Sequence, residues 1–337
     1  MASPPAAASG SGSGSAASSA SSPSSNEDLD PAEGCLSDEE AECLAVAAFE
    51  AAASGDVGGL AALLERGRGR GLELAAVGDE TGRVLAHEAA FNGRTEVLAL
   101  LGSFVGRRRQ TEGEASGGEV ALEEAFLAAE DELGWTPCHA AAMIGHAGSV
   151  LALAVAVGAA AADGGGGGGP AELLGAAGLD GSTPLHLAAA AGHAAVIEVM
   201  LDLLSAGGGG AVTEVLLARN SAGQTALHCA IMEGQGRSVG VLLDWAACQG
   251  SWVAPAGPSL CQQLLCSWEQ LQYTDQGAGG GGGVELEAAD LLSHHNALHF
   301  AAVGDAPGCI AVIRDRISAR DLRDLLGAVD DDQLTPL

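Results

Sequence analysis

Apolar and polar residues alternate at helical spacing in two short blocks within residues 181–204. Thr183 and Pro184 precede the first block as a helix start, since a Thr side chain can accept a backbone N–H and Pro needs no donor there. Gly192 separates the blocks, because glycine readily takes the left-handed conformation that ends a helix. The apolar positions are Leu185, Ala188 and Ala189 in the first block, and Val196, Ile197, Met200, Leu201 and Leu204 in the second. The pattern predicts two short amphipathic helices, which need neighbouring copies to cover their apolar faces.

Copies of this pattern recur along the chain around the letters T-P-L-H or a close variant. They lie at residues 136–139, 183–186 and 225–228, with looser versions at 84–87 and 296–299 and a truncated one at 335–337. The pattern resembles the T-P-L-H-x-A-A repeat of the ankyrin-repeat family. The resemblance implies an all-α solenoid of stacked helix-turn-helix units that binds other proteins. It also implies that each motif histidine has a structural role, bonding to backbone and to the nearby threonine. The residues with such structural roles are His87, Thr136, His139, Thr183, His186, Thr225, His228 and His299.

Two regions are predicted. Residues 1–42 are a Ser/Ala/Gly-rich tail whose composition is typical of disorder and which becomes acidic over residues 27–42; residues 43–337 are the repeat region. The acidic stretch is either a contact for a basic partner or a solvated lead-in to the first helix. The predicted repeats cover 43–67 (a cap without the motif), 79–102, 131–158, 178–205, 220–248, 293–316 and, truncated, 330–337.

Long inserts separate the repeats. Successive motif histidines lie 52, 47, 42 and 71 residues apart, whereas the family period is about 33 residues. The largest insert, residues 245–290, is either a degenerate repeat or an added helix packed on the solenoid. Its Trp252 and Trp268 are candidate partner contacts, although a tryptophan on an apolar helix face is commonly part of a core.

Composition limits the classes of function that the chain can have. The net charge is −30, with 14 arginines and no lysine, which argues against binding nucleic acid or an anionic membrane and suits a basic partner. Without lysine, the chain cannot supply the Lys of a P-loop, a protein-kinase ATP site or a Schiff base. The eight cysteines form no C-x-x-C motif, and no secretory signal is visible. We therefore expect a cytoplasmic protein, with the nucleus as a second location, and not a secreted one.

Two other features resemble a membrane span and a zinc site. The apolar residues 147–162 number 16, fewer than the ~20 that a bilayer requires, and are predicted to be the second helix of a repeat. Cys261, Cys266, His294 and His295 offer zinc ligands, but adjacent histidines seldom reach one ion. No metal, cofactor or catalytic residue is predicted.

The predicted function is therefore an intracellular protein-interaction scaffold or adaptor, with no enzymatic activity in these residues. The alternative is the recognition arm of a larger kinase, ubiquitin ligase, acyltransferase or ion channel whose functional domain lies beyond Leu337. Candidate partner contacts are Leu133, Trp135, Asp180, Ser182, Ser221, Gln224, Trp252 and Trp268.

Overall fold

A computed structural model describes residues 37–69, 72, 74–112, 127–162, 169–206, 209–248, 264–265, 296–329 and 334–336. This part of the chain contains fifteen α-helices and no β-strand. In chain order they are α1 Asp38–Ser54, α2 Val57–Arg68, α3 Leu85–Phe91, α4 Thr95–Glu112, α5 Pro137–Ile144, α6 Ala147–Ala162, α7 Pro170–Gly175, α8 Pro184–Ala191, α9 Ala194–Ala206, α10 Gly209–Leu217, α11 Ala226–Met232, α12 Gly236–Cys248, α13 Ala297–Val303, α14 Pro307–Arg316 and α15 Ala319–Gly327. The fold is the all-α solenoid that the repeats predict.

Twelve of these helices form six pairs that stack in two layers. The inner layer contains the first helix of each pair, in the order α1, α3, α5, α8, α11 and α13, and each contacts the next. The outer layer contains the second helices, α2, α4, α6, α9, α12 and α14, which also contact one another in order. The short helices α7 and α10 pack against the outer layer at α9. Each pair therefore covers the apolar face of its neighbour.

Local sequence signals set the ends of the helices. In α5, Thr136 is the extended residue before the helix, Pro137 is its first residue, and Gly145 ends it with φ +96°. Proline at the start costs no hydrogen bond, and glycine accepts a positive φ without steric strain. The same Thr-Pro start and glycine end bound α8.

The first helix begins earlier than the sequence analysis predicts. Helix α1 starts at Asp38, so residues 38–42 are helical and are not part of the tail. Ser37 Oγ accepts a hydrogen bond from the Glu40 N–H, and Glu40 Oε2 accepts one from the Ser37 N–H, both at 3.3 Å. This reciprocal capping box satisfies two backbone donors at the helix start, which favours the earlier boundary. Residues 1–36, the rest of the predicted tail, lie outside the described residues.

The core lies between the two layers. The predicted apolar stripe of α9 is buried over its whole length, with Val196, Ile197, Met200, Leu201 and Leu204 each at most 1 % exposed. Helix α6 is the second helix of its pair, as the sequence predicts. Among the described residues, no helix combines the length and the apolar character needed to cross a membrane.

The stack continues directly across the largest insert. The rings of His228 in α11 and Phe300 in α13 meet edge to face, with centroids 4.9 Å apart. Arg316 in α14 donates from Nε to Asp244 Oδ1 in α12 at 2.7 Å. Because α11/α12 contacts α13/α14 in both layers, the solenoid passes between these pairs without an intervening repeat.

Candidate protein-binding surface

A tight loop precedes each of four inner helices. We call these loops fingers: residues 79–84, 131–136, 178–183 and 220–225 lie before α3, α5, α8 and α11. In the second finger, Asp131 Oδ1 accepts hydrogen bonds from the N–H groups of Leu133 and Trp135, both at 2.9 Å. Asn220 does the same in the fourth finger for residues 222 and 224. A short polar side chain that binds the backbone ahead of it stabilises such a turn.

Hydrogen bonds between backbone groups join the finger turns into a continuous row. The Glu132 N–H donates to the Thr81 carbonyl at 3.0 Å, and the Leu179 N–H donates to the Leu133 carbonyl at 2.9 Å. The Ser221 N–H donates to the carbonyl of residue 180 at 2.8 Å. We call this row, residues 79–82, 131–134, 178–181 and 220–223, the finger edge. Its spacing follows from the stacking of the repeats, so it presents a fixed surface.

Four of the five motif histidines bond their inner helix to a backbone carbonyl further along the chain. His139 Nδ1 accepts from the Thr136 N–H at 3.0 Å and lies 2.9 Å from the Thr136 hydroxyl. His139 Nε2 lies 3.0 Å from the Ser182 carbonyl, which can only accept, so we assign the proton to Nε2. The other contacts of this kind join His87 to the carbonyl of Trp135 at 2.8 Å, His186 to that of Gln224 at 3.0 Å, and His299 to that of Leu334 at 3.3 Å.

Burial keeps the rings of four motif histidines neutral, those of His87, His139, His186 and His228. It lowers the pKa of His139 to about 4 and that of His228 to about 3. Burial also lowers the pKa values of His87 and His186 below the usual 6.5. A neutral ring with one nitrogen accepting and the other donating is what the motif requires. The histidines that bond through both ring nitrogens therefore act as structural connections between repeats.

One connection differs from the others. His228 keeps its bond from the Thr225 N–H to Nδ1 at 3.2 Å, but its buried Nε2 has no hydrogen-bond partner within the part of the chain that the structure describes. Helix α13, the next inner helix, begins after Asn296, and no finger precedes it among the described residues. At the joint between α11/α12 and α13/α14, which we call the interrupted joint, the described residues provide no histidine-to-finger bond.

The structure places the predicted partner contacts in three different settings. Leu133, Asp180 and Ser221 are exposed on the finger edge. Trp135 and Gln224 are half-buried and Ser182 is buried, because all three occupy the position whose carbonyl accepts the preceding motif histidine. Ser182 also donates its hydroxyl to Asp180 at 2.8 Å, so its side chain is occupied within the repeat. Trp252 and Trp268 lie outside the described residues.

We call the finger edge, together with the inner-helix positions next to it, the finger side. Sequence reasoning missed several exposed apolar side chains there. Leu179, in the third finger, is 79 % exposed. Phe91 and Val303 are also exposed, and each lies four residues after a motif histidine. Met232, which the sequence does offer as an inner-helix contact, occupies the same position. That position lies next to the fingers, since Gln224 Nε2 lies 3.0 Å from Met232 Sδ. The signal was present in the sequence: a leucine within a turn, and large apolar residues on the helix face next to the motif.

The outer layer carries a second feature, a shallow apolar groove between α4 and α6. Its volume is about 540 Å³, and Ala99, Gly102, Leu151, Val155 and Ala156 are among its lining residues. Glu96 is the one titratable residue among the residues that line it. Elsewhere in the described residues, no group of three or more His, Cys, Asp or Glu side chains could hold a metal ion. The four zinc candidates at 261, 266, 294 and 295 lie outside those residues.

Comparison with protein-family models agrees with this geometry. Residues 167–250, which include α7 to α12, match the family described as ankyrin repeats (3 copies). This protein contains ankyrin repeats. Such repeats are generally non-catalytic modules for binding other proteins. A search of curated proteins found no match.

Proposed function

We propose that this ankyrin-repeat protein is a scaffold or adaptor that binds partner proteins through its finger side. The observation that carries the proposal is the set of large apolar side chains exposed there. Leu179 is 79 % and Leu133 is 51 % exposed on adjacent fingers. Contiguous exposed apolar residues on a folded protein mark a surface that another molecule covers.

The inner helices extend this surface. The position four residues after the motif histidine is occupied in turn by Phe91, Met143, Ala190, Met232 and Val303. The buried motif residues repeat, whereas these side chains differ in size and shape from one repeat to the next. Such variation on a constant frame lets a solenoid discriminate between partners.

We also propose that the protein works in the cytoplasm. The five cysteines that the structure describes are free thiols. Burial raises the pKa of Cys138 to about 12 and that of Cys229 to about 11. Thiols that stay protonated and buried are inert and suit a reducing compartment.

Affinity capture from a cell lysate tests the proposal when it compares matched variants of the full chain. Leu133→Ser together with Leu179→Ser should remove bound proteins that the parent retains. Leu151→Ser together with Val155→Ser changes two exposed apolar residues of the outer layer, at 46 % and 61 % exposure, and should retain them. Circular dichroism checks that both variants keep the parent helix content. Identical bound proteins for both variants would contradict binding at the finger side.

A further inference from the structure

The finger edge has a distinct chemical pattern as well as a fixed shape. Leu133 and Leu179 lie next to each other at its middle, because the Leu179 N–H binds the Leu133 carbonyl at 2.9 Å. Both side chains point to solvent to a large extent, at 51 % and 79 % exposure. A partner could therefore cover the two leucines with a single apolar contact.

Exposed carboxylates surround this apolar pair. Glu132 adjoins Leu133 in the second finger and Asp180 adjoins Leu179 in the third, and both are exposed. Glu80 lies in the first finger, whose Thr81 carbonyl binds the Glu132 N–H. Glu130 is exposed directly before the second finger. Glu80, Glu132 and Asp180 thus lie on the same hydrogen-bonded row as the leucines, and Glu130 lies directly before it.

The basic residues of the fingers are already occupied. Arg83 Nε lies 3.6 Å from Asp131 Oδ2, and Arg219, which precedes the fourth finger, donates from Nη1 to the Gly223 carbonyl at 2.6 Å. The other arginines whose side chains the structure describes lie outside the fingers, at Arg66, Arg68, Arg94, Arg237, Arg314, Arg316, Arg320 and Arg323. The finger edge itself contains no arginine, and it therefore carries a net negative charge.

We propose that the partner segment bound at the finger edge is basic and carries a large apolar side chain that packs on Leu133 and Leu179. This inference rests on the proposed function and specifies its ligand. The carboxylates attract the segment and exclude acidic competitors, while the leucine pair provides the desolvated contact. Binding should therefore weaken as salt increases, because exposed charges are screened.

The probe is a short synthetic peptide of arginine, leucine and glycine, labelled for fluorescence anisotropy and titrated with the full chain. The same peptide with glutamate in place of arginine is the ligand control. The first variant combines Glu80→Gln, Glu130→Gln and Glu132→Gln. The second combines Glu96→Gln, Glu198→Gln and Asp202→Asn, exposed residues of α4 and α9 in the outer layer. Each variant removes three negative charges, so the pair separates local from overall charge.

We expect the finger variant to raise the Kd of the arginine peptide about tenfold, since three exposed charge pairs together reach roughly that factor. The outer-layer variant should keep the Kd within about twofold of the parent value, because salt screens charges that lie far from the bound peptide. The glutamate peptide should not bind. Equal weakening by the two variants, or equal binding of the two peptides, would overturn the inference.

A second pair of variants separates this inference from the proposed function. Leu179→Ser should weaken binding of the arginine peptide. Val155→Ser, which changes an exposed residue of α6, should leave that binding unchanged. If Leu179→Ser removes captured proteins while the finger charge variant retains them, the finger side binds partners but the basic-ligand inference is wrong. If neither variant changes capture, the proposed function at this surface is wrong as well.

Discussion

The joint between α5/α6 and α8/α9 and the joint between α11/α12 and α13/α14 have the same stacking but different polar contacts. At the regular joint, His139 binds the Ser182 carbonyl, and the Leu179 N–H binds the Leu133 carbonyl. His193 Nε2 also reaches the Met143 carbonyl at 3.1 Å. Polar contacts thus fix the regular joint near the fingers and at the turn between inner and outer helices.

At the interrupted joint, other contacts take their place. His228 packs its ring against Phe300, Arg316 pairs with Asp244, and Gly304 approaches the Met232 carbonyl closely. The comparison teaches that helix stacking together with one ion pair, Arg316–Asp244, keeps two pairs in register across an insertion. At the regular joint, in contrast, the histidine bonds to the finger directly before the next inner helix.

The largest expected difference in stability between the two joints comes from their motif histidines. His139→Leu should lower the free energy of unfolding by about 3 kcal/mol, because it leaves the Thr136 N–H and the Ser182 carbonyl buried without partners. His228→Leu should cost about 1 to 2 kcal/mol, because only the Thr225 groups lose their partner. Urea denaturation followed by circular dichroism measures both. Equal losses would show that the bond to the finger contributes nothing to the regular joint.

Acidification should destabilise both joints alike. The folded-state pKa values of His139 and His228, about 4 and about 3, lie below the ordinary 6.5. Their contribution to stability is therefore complete above pH 6.5 and is lost as the pH falls towards those values. At pH 5 each ring should account for about 2 kcal/mol of lost stability.

The measurement is urea denaturation at pH 7 and pH 5 at constant salt, comparing the parent with His139→Leu and His228→Leu. Each variant should lose less stability on acidification than the parent. Burial raises the pKa of Asp180, but the stronger combined effect of hydrogen bonds from Ser182 holds it below 3.8, so this carboxylate stays charged at pH 5. An unchanged loss in a variant would exclude its histidine as a source of the pH dependence.

The smallest expected difference between the joints concerns two glycines with positive φ, one that ends α5 and one that lies two residues after the end of α11. Gly145 has φ +96°, and a Cβ added there would lie 2.6 Å from His193 Nδ1. Gly234 has φ +68°, and the nearest atom to a Cβ added there belongs to Ala306, at 4.0 Å. Gly145→Ala should therefore cost about 2 kcal/mol and Gly234→Ala about 1 kcal/mol, the latter for the positive φ alone. Thermal unfolding distinguishes them, and a larger loss at Gly234 would contradict the close packing of His193.

Much of the fold follows from local pattern. The stripe of α9 and the Thr-Pro start of α8 are visible in the sequence, since helix periodicity and capping depend on residues close in the chain. The start of α1 was missed although the letters Ser37-x-x-Glu40 carry the signal. There the acidic composition of residues 27–42 concealed a capping box.

The candidate site was predicted less completely. Leu133, Asp180 and Ser221 were named and lie exposed on the finger edge, whereas Ser182 was named and is buried. Leu179 was not named and is the most exposed large apolar side chain of the fingers. Position within a loop does not reveal which side chains face solvent, because the neighbouring repeat covers some of them.

The sequence by itself determined the repeat, the two helices in each unit and the buried faces, because each depends on spacing within about 30 residues. Only the tertiary structure decided that α11/α12 stacks directly on α13/α14, since a 71-residue histidine spacing fits either an insert or a further repeat. It also decided that Glu132, Leu133 and Leu179 lie on one hydrogen-bonded row. Those residues come from different fingers, and contacts between repeats bring them together.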